Sequence, residues 1–178
     1  MNGPTSITEI NDMNSNMLGT WLRKTGASLF FIGYLPASGT IASAAVIVLL
    51  WFSSSNGVFS SGGPAYWLLS LAVVACSFFF SNRSRELFGR EDSGRIVIDE
   101  VAGQLITFCM VPLTLRTLIA GFLLFRFFDI VKPFPVYRME SLDDGVGVTM
   151  DDVVAGVFAN ASLLIILLAY HAIKGYIQ

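Results

Sequence analysis

The feature that most constrains this chain is residues 118–152, where an apolar run fit for a bilayer carries Arg126, Asp129 and Lys132 and leads on to the pair Asp151-Asp152. An ionisable side chain at bilayer depth costs about 2.5–3.5 kcal/mol on insertion scales, so such residues persist where they have a partner and a task. The three charges stand three apart, which on a helix sets them along one face. Any fold for this chain has to turn that face towards other polar groups.

The rest of the sequence points the same way. Of 178 residues, 54% are hydrophobic and only 13% charged, and the mean hydropathy is +0.66. That is too apolar for an ordinary soluble domain of this length. The expected fold is all-α: a polytopic helical membrane protein of about five short or tilted spans, with a broken first helix and a polar site at the cytoplasmic edge. One embedded domain is expected over residues 26–178, behind a flexible polar segment, 1–25. The net charge of −2 comes without a basic face or arm, so nucleic acid is not an expected partner. Cys76 and Cys109 fall inside apolar runs and read as packing residues, and His171, far from the acids, reads as structural.

Residues 26–52 are interrupted at Gly33–Thr40, where Pro36 and Gly39 break a helix and Thr40 is suited to N-cap the run that follows. Residues 65–80 form a second span, 101–113 and 118–131 a helical hairpin turning near Pro112 and Thr114, and 153–172 the last span. Between them, 132–152 is expected to be irregular because of Pro133, Pro135, Gly145 and Gly147, with Asp143-Asp144 as solvated loop acids. Basic residues alternate between connections: Arg23 and Lys24, then none in 53–64, four arginines in 81–99, Arg116 alone in 114–117, then Lys132 and Arg138. By the positive-inside rule the amino terminus, the 81–99 loop and the 132–152 segment face the cytoplasm. The 33–40 break, Asp99-Glu100, the Arg126–Lys132 face and residues 145–152 then meet at one cytoplasmic edge.

Asp99, Glu100, Asp129, Asp151 and Asp152 bring five carboxylates to that edge against the two cations Arg126 and Lys132. Crowded like charges raise one another's pKa or recruit a cation, and hard oxygen donors suit Mg²⁺. With Arg126 and Lys132 on phosphate oxygens, the set suits phosphate-ester hydrolysis at a membrane surface. Blander readings stand beside this one: Asp99 and Asp151 as helix N-caps, and Arg126–Asp129 as a structural ion pair. A broken first helix with intramembrane acids also fits a cation or proton transporter, and charges as helix glue fit a non-enzymatic assembly subunit.

Four motifs carry a resemblance: Gly33-x-x-Pro36-x-x-Gly39-Thr40-x-x-Ser43; Ile98-Asp99-Glu100-x-x-Gly103; Gly121-Phe122-x-x-Phe125-Arg126-x-x-Asp129-x-x-Lys132-Pro133-x-Pro135; and Gly145-x-Gly147-x-x-x-Asp151-Asp152-x-x-Ala155-Gly156. In this order and spacing the chain resembles the phosphatidylglycerophosphatase A family of bacterial inner-membrane lipid phosphatases. The resemblance implies Mg²⁺-dependent removal of the terminal phosphate of phosphatidylglycerophosphate, giving phosphatidylglycerol and phosphate in phospholipid synthesis. It implies metal and catalytic roles for Asp99, Glu100, Asp129, Asp151 and Asp152, and substrate binding by Arg126, Lys132, Gly39, Thr40 and Ser43. It also implies a multi-pass protein whose lipid substrate stays in the bilayer while its head enters a pocket facing the cytoplasm. Ser38 and Ala42 stand where the family's first motif usually has proline and glycine.

Overall fold

The structure, a computed structural model, describes residues 7–58, 60–82, 84–89, 94–142 and 144–177. Among these the chain is all helical: α1 (Ile7–Ala27), a 3₁₀ turn (Ile32–Tyr34), α2 (Ser38–Ser55), α3 (Pro64–Ser81), α4 (Ser84–Phe88), α5 (Ile98–Thr107), α6 (Leu115–Val131), α7 (Val136–Glu140) and α8 (Asp144–Ile177). Among the described residues three helices are long and apolar enough to cross a membrane: α2, α3 and residues 145–176 of α8.

Helix α5 is not a fourth. Its 10 residues reach about 15 Å at ~1.5 Å per residue, half of a hydrocarbon core of ~30 Å. The hairpin expected over 101–131 is present, but its first arm stops inside the bundle and the chain turns back through Phe108–Leu113, with Met110 left-handed at φ 60°. A helix end in an apolar interior leaves carbonyls that lipid cannot satisfy. Neighbouring elements supply the donors. The Tyr66 hydroxyl of α3 donates to Leu105 O (2.7 Å), and Asn160 Nδ2 of α8 donates to Thr107 O (2.9 Å) and Cys109 O (2.8 Å). The Ser61 hydroxyl donates to Val111 O, and Met110 N–H to Ser61 O (3.1 Å). Helix α6 then starts cleanly on a capping box between Thr114 and Thr117.

Helix α5 is gripped most closely by α8. A Cβ on Gly103 would lie 2.5 Å from Asp152 O, and one on Gly156 would lie 2.3 Å from Gly103 O, so the two backbones touch where both residues lack a side chain. Beyond this crossing Leu105, Phe108, Leu118, Leu163, Val46, Leu50 and Tyr66 close an apolar core. A second cluster, Phe125, Val136, Ala155 and Ala159, seals α6 and α7 against α8.

Several local expectations are corrected. Residues 7–25 are not a loose lead-in: they belong to α1, whose Arg23 guanidinium donates to Phe79 O (3.0 Å) and lies 4.6 Å above the Phe79 ring on α3. Residues 1–6 of that segment lie outside the described residues. Thr40 is not an N-cap, because α2 begins at Ser38 behind a left-handed Ala37. The 132–152 connection is mostly helical: after α7 the chain enters α8 at Asp144, so Gly145 and Gly147 are helix residues. A Cβ on Gly145 would lie 2.3 Å from the Ser81 backbone, which gives this glycine a packing reason in place of a turn. Asp144 opens α8, and Asp143 lies outside the described residues. Neither Asp99 nor Asp151 is an N-cap, since α5 is preceded by Val97 and Asp151 is well inside α8.

Replacing Asn160 by leucine removes both donors to Thr107 O and Cys109 O without opening a cavity. The expected result is a loss of roughly 1–3 kcal/mol, read as a lower midpoint of thermal unfolding in detergent. An unchanged midpoint would show that the end of α5 does not depend on this side chain.

Candidate active site

The α5–α8 crossing also places charge. Asp99 lies one turn before Gly103 and Asp152 one turn before Gly156, so the backbone contact holds the two acid pairs side by side. Helix α6 approaches with Phe125 against Gly103, which presents Arg126 and Asp129 to the same place. A polar cavity of about 300 Å³ results, lined by Gly94, Ile96, Asp99, Glu100, Asp129, Ile130, Lys132, Val148, Asp151 and Asp152. All five acids singled out in the sequence line this one cavity, together with Lys132. They come from three helices, and Asp99, Asp151 and Asp152 are buried.

Asp152 is the hub, within electrostatic reach of Asp99, Asp129, Asp151 and Glu100. Two cations hold three of the other four acids. Arg126 Nη1 lies 2.6 Å from Asp129 Oδ2 and 3.6 Å from Glu100 Oε1, and Lys132 Nζ lies 2.8 Å from Asp151 Oδ2. Lys132 is the left-handed C-cap of α6 (φ 44°), which ends the helix as its side chain reaches Asp151 on α8. The backbone also orders the acids: Glu100 N–H donates to Asp99 Oδ1 and Asp152 N–H to Asp151 Oδ1, each at 2.9 Å.

The first motif meets this cavity through one residue. A Cβ on Gly39 would stand 1.6 Å from Glu100 Oε1, so glycine is what lets that carboxylate lie against the first turn of α2. Thr40 is exposed and Ser43 is buried, and neither lines the cavity. Ser43 Oγ has no hydrogen-bond partner among the described residues, and neither do the polar atoms of the fully buried Gln104. Gln104 was not singled out from the sequence; the signal available was its place one helical turn beyond Glu100 in an apolar run. Ile96, Ile130 and Val148 were likewise passed over, because an isoleucine or valine in such a chain reads as filler. Cys76 and Cys109 are free thiols, and His171 is exposed beside Tyr170.

No three described His, Cys, Asp or Glu side chains stand close enough to enclose a metal ion in this arrangement, in which Arg126 and Lys132 hold three of the five acids. The donor set is nevertheless all carboxylate oxygen around one cavity, the type that fits Mg²⁺ rather than a softer metal.

Fold and cavity define the class: a helical membrane protein with an acidic, cation-edged cavity at one end of its bundle. The profile of phosphatidylglycerophosphatase A matches residues 25–167, and the chain belongs to that family of phosphatases. It is 47% identical over 127 residues to a phosphatidylglycerophosphatase A of Haemophilus influenzae, covering 70% of this chain and 75% of the relative. It is 31% identical over 103 residues to one of Escherichia coli K12, covering 57% and 60%. A protein of Bacteroides thetaiotaomicron named "Putative phosphatidylinositol-3-phosphatase" is 36% identical over 136 residues, covering 73% and 84%. No solved structure matches the chain.

Gly156→Ala places a methyl group on the Gly103 carbonyl and must push α8 off α5. It is expected to cost about 1–3 kcal/mol and to cut phosphatase turnover sharply. Gly19→Ala, where the added carbon meets nothing within 4 Å, serves as the control and should leave turnover unchanged. Full activity in the Gly156 variant would show that the close crossing is not required.

Proposed function

We propose that this enzyme removes the terminal phosphate of phosphatidylglycerophosphate, with Mg²⁺, to give phosphatidylglycerol and inorganic phosphate in phospholipid synthesis. The observation that carries the reading is the convergence of Asp99, Glu100, Asp129, Asp151 and Asp152 with Lys132 on one cavity, in a chain of this family. The names of the Haemophilus and Escherichia relatives support the substrate. The Bacteroides relative's name keeps a second phosphorylated lipid, a phosphoinositide, as the runner-up.

In this reading the five acids divide the work with the two cations. Arg126 and Lys132 each hold a carboxylate in the structure, and a phosphate monoester is the stronger competitor for a guanidinium and an ammonium group. As the phosphate takes these cations, Asp129, Glu100 and Asp151 are released to face the cavity beside Asp152 and Asp99. Those acids, centred on Asp152, would hold Mg²⁺. When bound, the ion supplies charge neutralisation of the phosphoryl oxygens and a more acidic water. The burial of Asp99, Asp151 and Asp152 keeps bulk water from screening these charges, which strengthens each of them at the reacting phosphorus. A carboxyl group of the set serves as the proton donor to the departing glycerol oxygen.

The bacterial inner membrane, with the pocket towards the cytoplasm, is the location this reading requires. Its support is the positive-inside pattern: Gly94 on the cavity wall is followed at once by Arg95, whose guanidinium lies 5.1 Å over the Tyr34 ring, and Lys132 and Arg138 flank the same edge.

Purified protein assayed on a panel of lipid phosphates should release phosphate from phosphatidylglycerophosphate faster than from a phosphoinositide, and excess chelator should stop it. Asp129→Asn and Asp152→Asn should each lower turnover by at least ~100-fold while membrane insertion is kept. Undiminished hydrolysis in chelator would remove the metal role, and full activity in either variant would remove that residue from the site.

A further inference from the structure

The cavity has three large apolar lining residues, and they differ in one respect. Ile96 is 3% exposed and Val148 8%, whereas Ile130 is 70% exposed. The cavity therefore reaches the outer surface of the bundle at Ile130, between Asp129 and Lys132 at the end of α6. Ile130 is also part of a stripe. Leu123 (60% exposed), Phe127 (55%) and Ile130 follow at spacings of four and three, so they lie along one outward face of α6. Other lipid-facing surfaces, such as Val48, Leu49 and Phe52 on α2 or Leu68 and Leu71 on α3, are as exposed but contribute no residue to the cavity.

We propose that this α6 face is where the substrate docks and enters. The acyl-bearing glycerol body of a phosphomonoester lipid lies along Leu123, Phe127 and Ile130 while its phosphate turns in past Ile130 to Lys132 and Arg126. The inference rests on the reading of the cavity as a phosphate-ester site, and adds which side of the bundle the lipid uses. Continuity decides the occupant. A lipid on this stripe already has its glycerol carbons beside the polar opening, and the dianionic phosphate is drawn by the two cations ion-paired to the lining acids, Arg126 and Lys132. A zwitterionic lipid gains the apolar contact but not the charge, so the face discriminates by head group. Ile130 acts here as a sill: apolar enough to admit the glycerol body, and narrow enough that acyl chains stay outside.

The test is photo-crosslinking from the full-length protein in phosphatidylcholine vesicles carrying a minor fraction of long-chain phosphatidylglycerophosphate. A photoreactive residue replaces Phe127 on α6 or, as control, Leu71 on α3. Position 127 should label the phosphomonoester lipid over phosphatidylcholine by about tenfold relative to position 71, and inorganic phosphate should suppress that preference. Ile130→Gln, similar in volume but polar, should raise the apparent KM for the vesicle substrate by at least ~5-fold with kcat within twofold. Equal labelling at both positions, or an unchanged KM, would overturn the entry face while leaving hydrolysis intact. Selective labelling by a protein that releases no phosphate would instead uphold the face and sink the enzymatic reading, because labelling needs no turnover.

Discussion

The contact on which the rest of the structure depends is the crossing of α5 and α8 at Gly103 and Gly156. Each glycine lies four residues after an aspartate that faces the cavity, so a backbone contact about as close as packing allows is converted into a fixed spacing between Asp99 and Asp152. Two pairs of acids pushed together at a membrane edge repel each other, and separation of the helices would relieve that. The apolar cluster around Phe108, Leu118 and Leu163 on one side, and Phe125, Val136 and Ala155 on the other, opposes it. Packing thus holds what electrostatics would spread, and the stored repulsion is what makes the site receptive to cationic partners.

A short helix is the means by which this is done. A full span at α5 would carry its first turn through the bundle with no reason for its acids to stop beside those of α8. Because α5 ends after ten residues, its last carbonyls and those of the turn behind it need donors, and Tyr66 of α3, Asn160 of α8 and Ser61 in the α2–α3 connection provide them. Those hydrogen bonds fix how far α5 enters, and hence the height of Asp99 and Glu100 relative to Asp151 and Asp152. Arg126 and Lys132 reach the same height from the opposite direction, since α6 runs back towards the edge from which α5 came.

Much of the site was legible in the sequence and much of the architecture was not, for physical reasons that differ. Charges inside apolar runs are costly enough that Arg126, Asp129, Lys132 and the two acid pairs announce themselves, and all but Arg126 line the cavity directly. The small residue one turn after each acid pair was also visible as a pattern. What local pattern could not give was the end of α5, which depends on Asn160, 53 residues away in the chain. The same holds for α8: Gly145 and Gly147 signal a turn by composition, but Gly145 is small because it lies on the Ser81 backbone. Helix α1 was missed because its polar composition hides one anchoring residue, Arg23, whose partner is on α3. Thr40 and Ser43 came from motif resemblance, and the structure puts the motif's contact with the site at Gly39.

The most direct test is a disulfide bridge across the crossing. With Cys76 and Cys109 replaced by serine, Asp99→Cys and Asp152→Cys are combined and the membranes are exposed to mild oxidation. Rapid bridging, seen as a linkage between the two fragments after cleavage between α6 and α8, is the predicted result. The control pair, Asp99→Cys with Leu71→Cys on the outer face of α3, should stay reduced; a 99–152 pair that bridges no faster than this control would mean that the two acid-bearing turns are not neighbours, and the account of the site would fail.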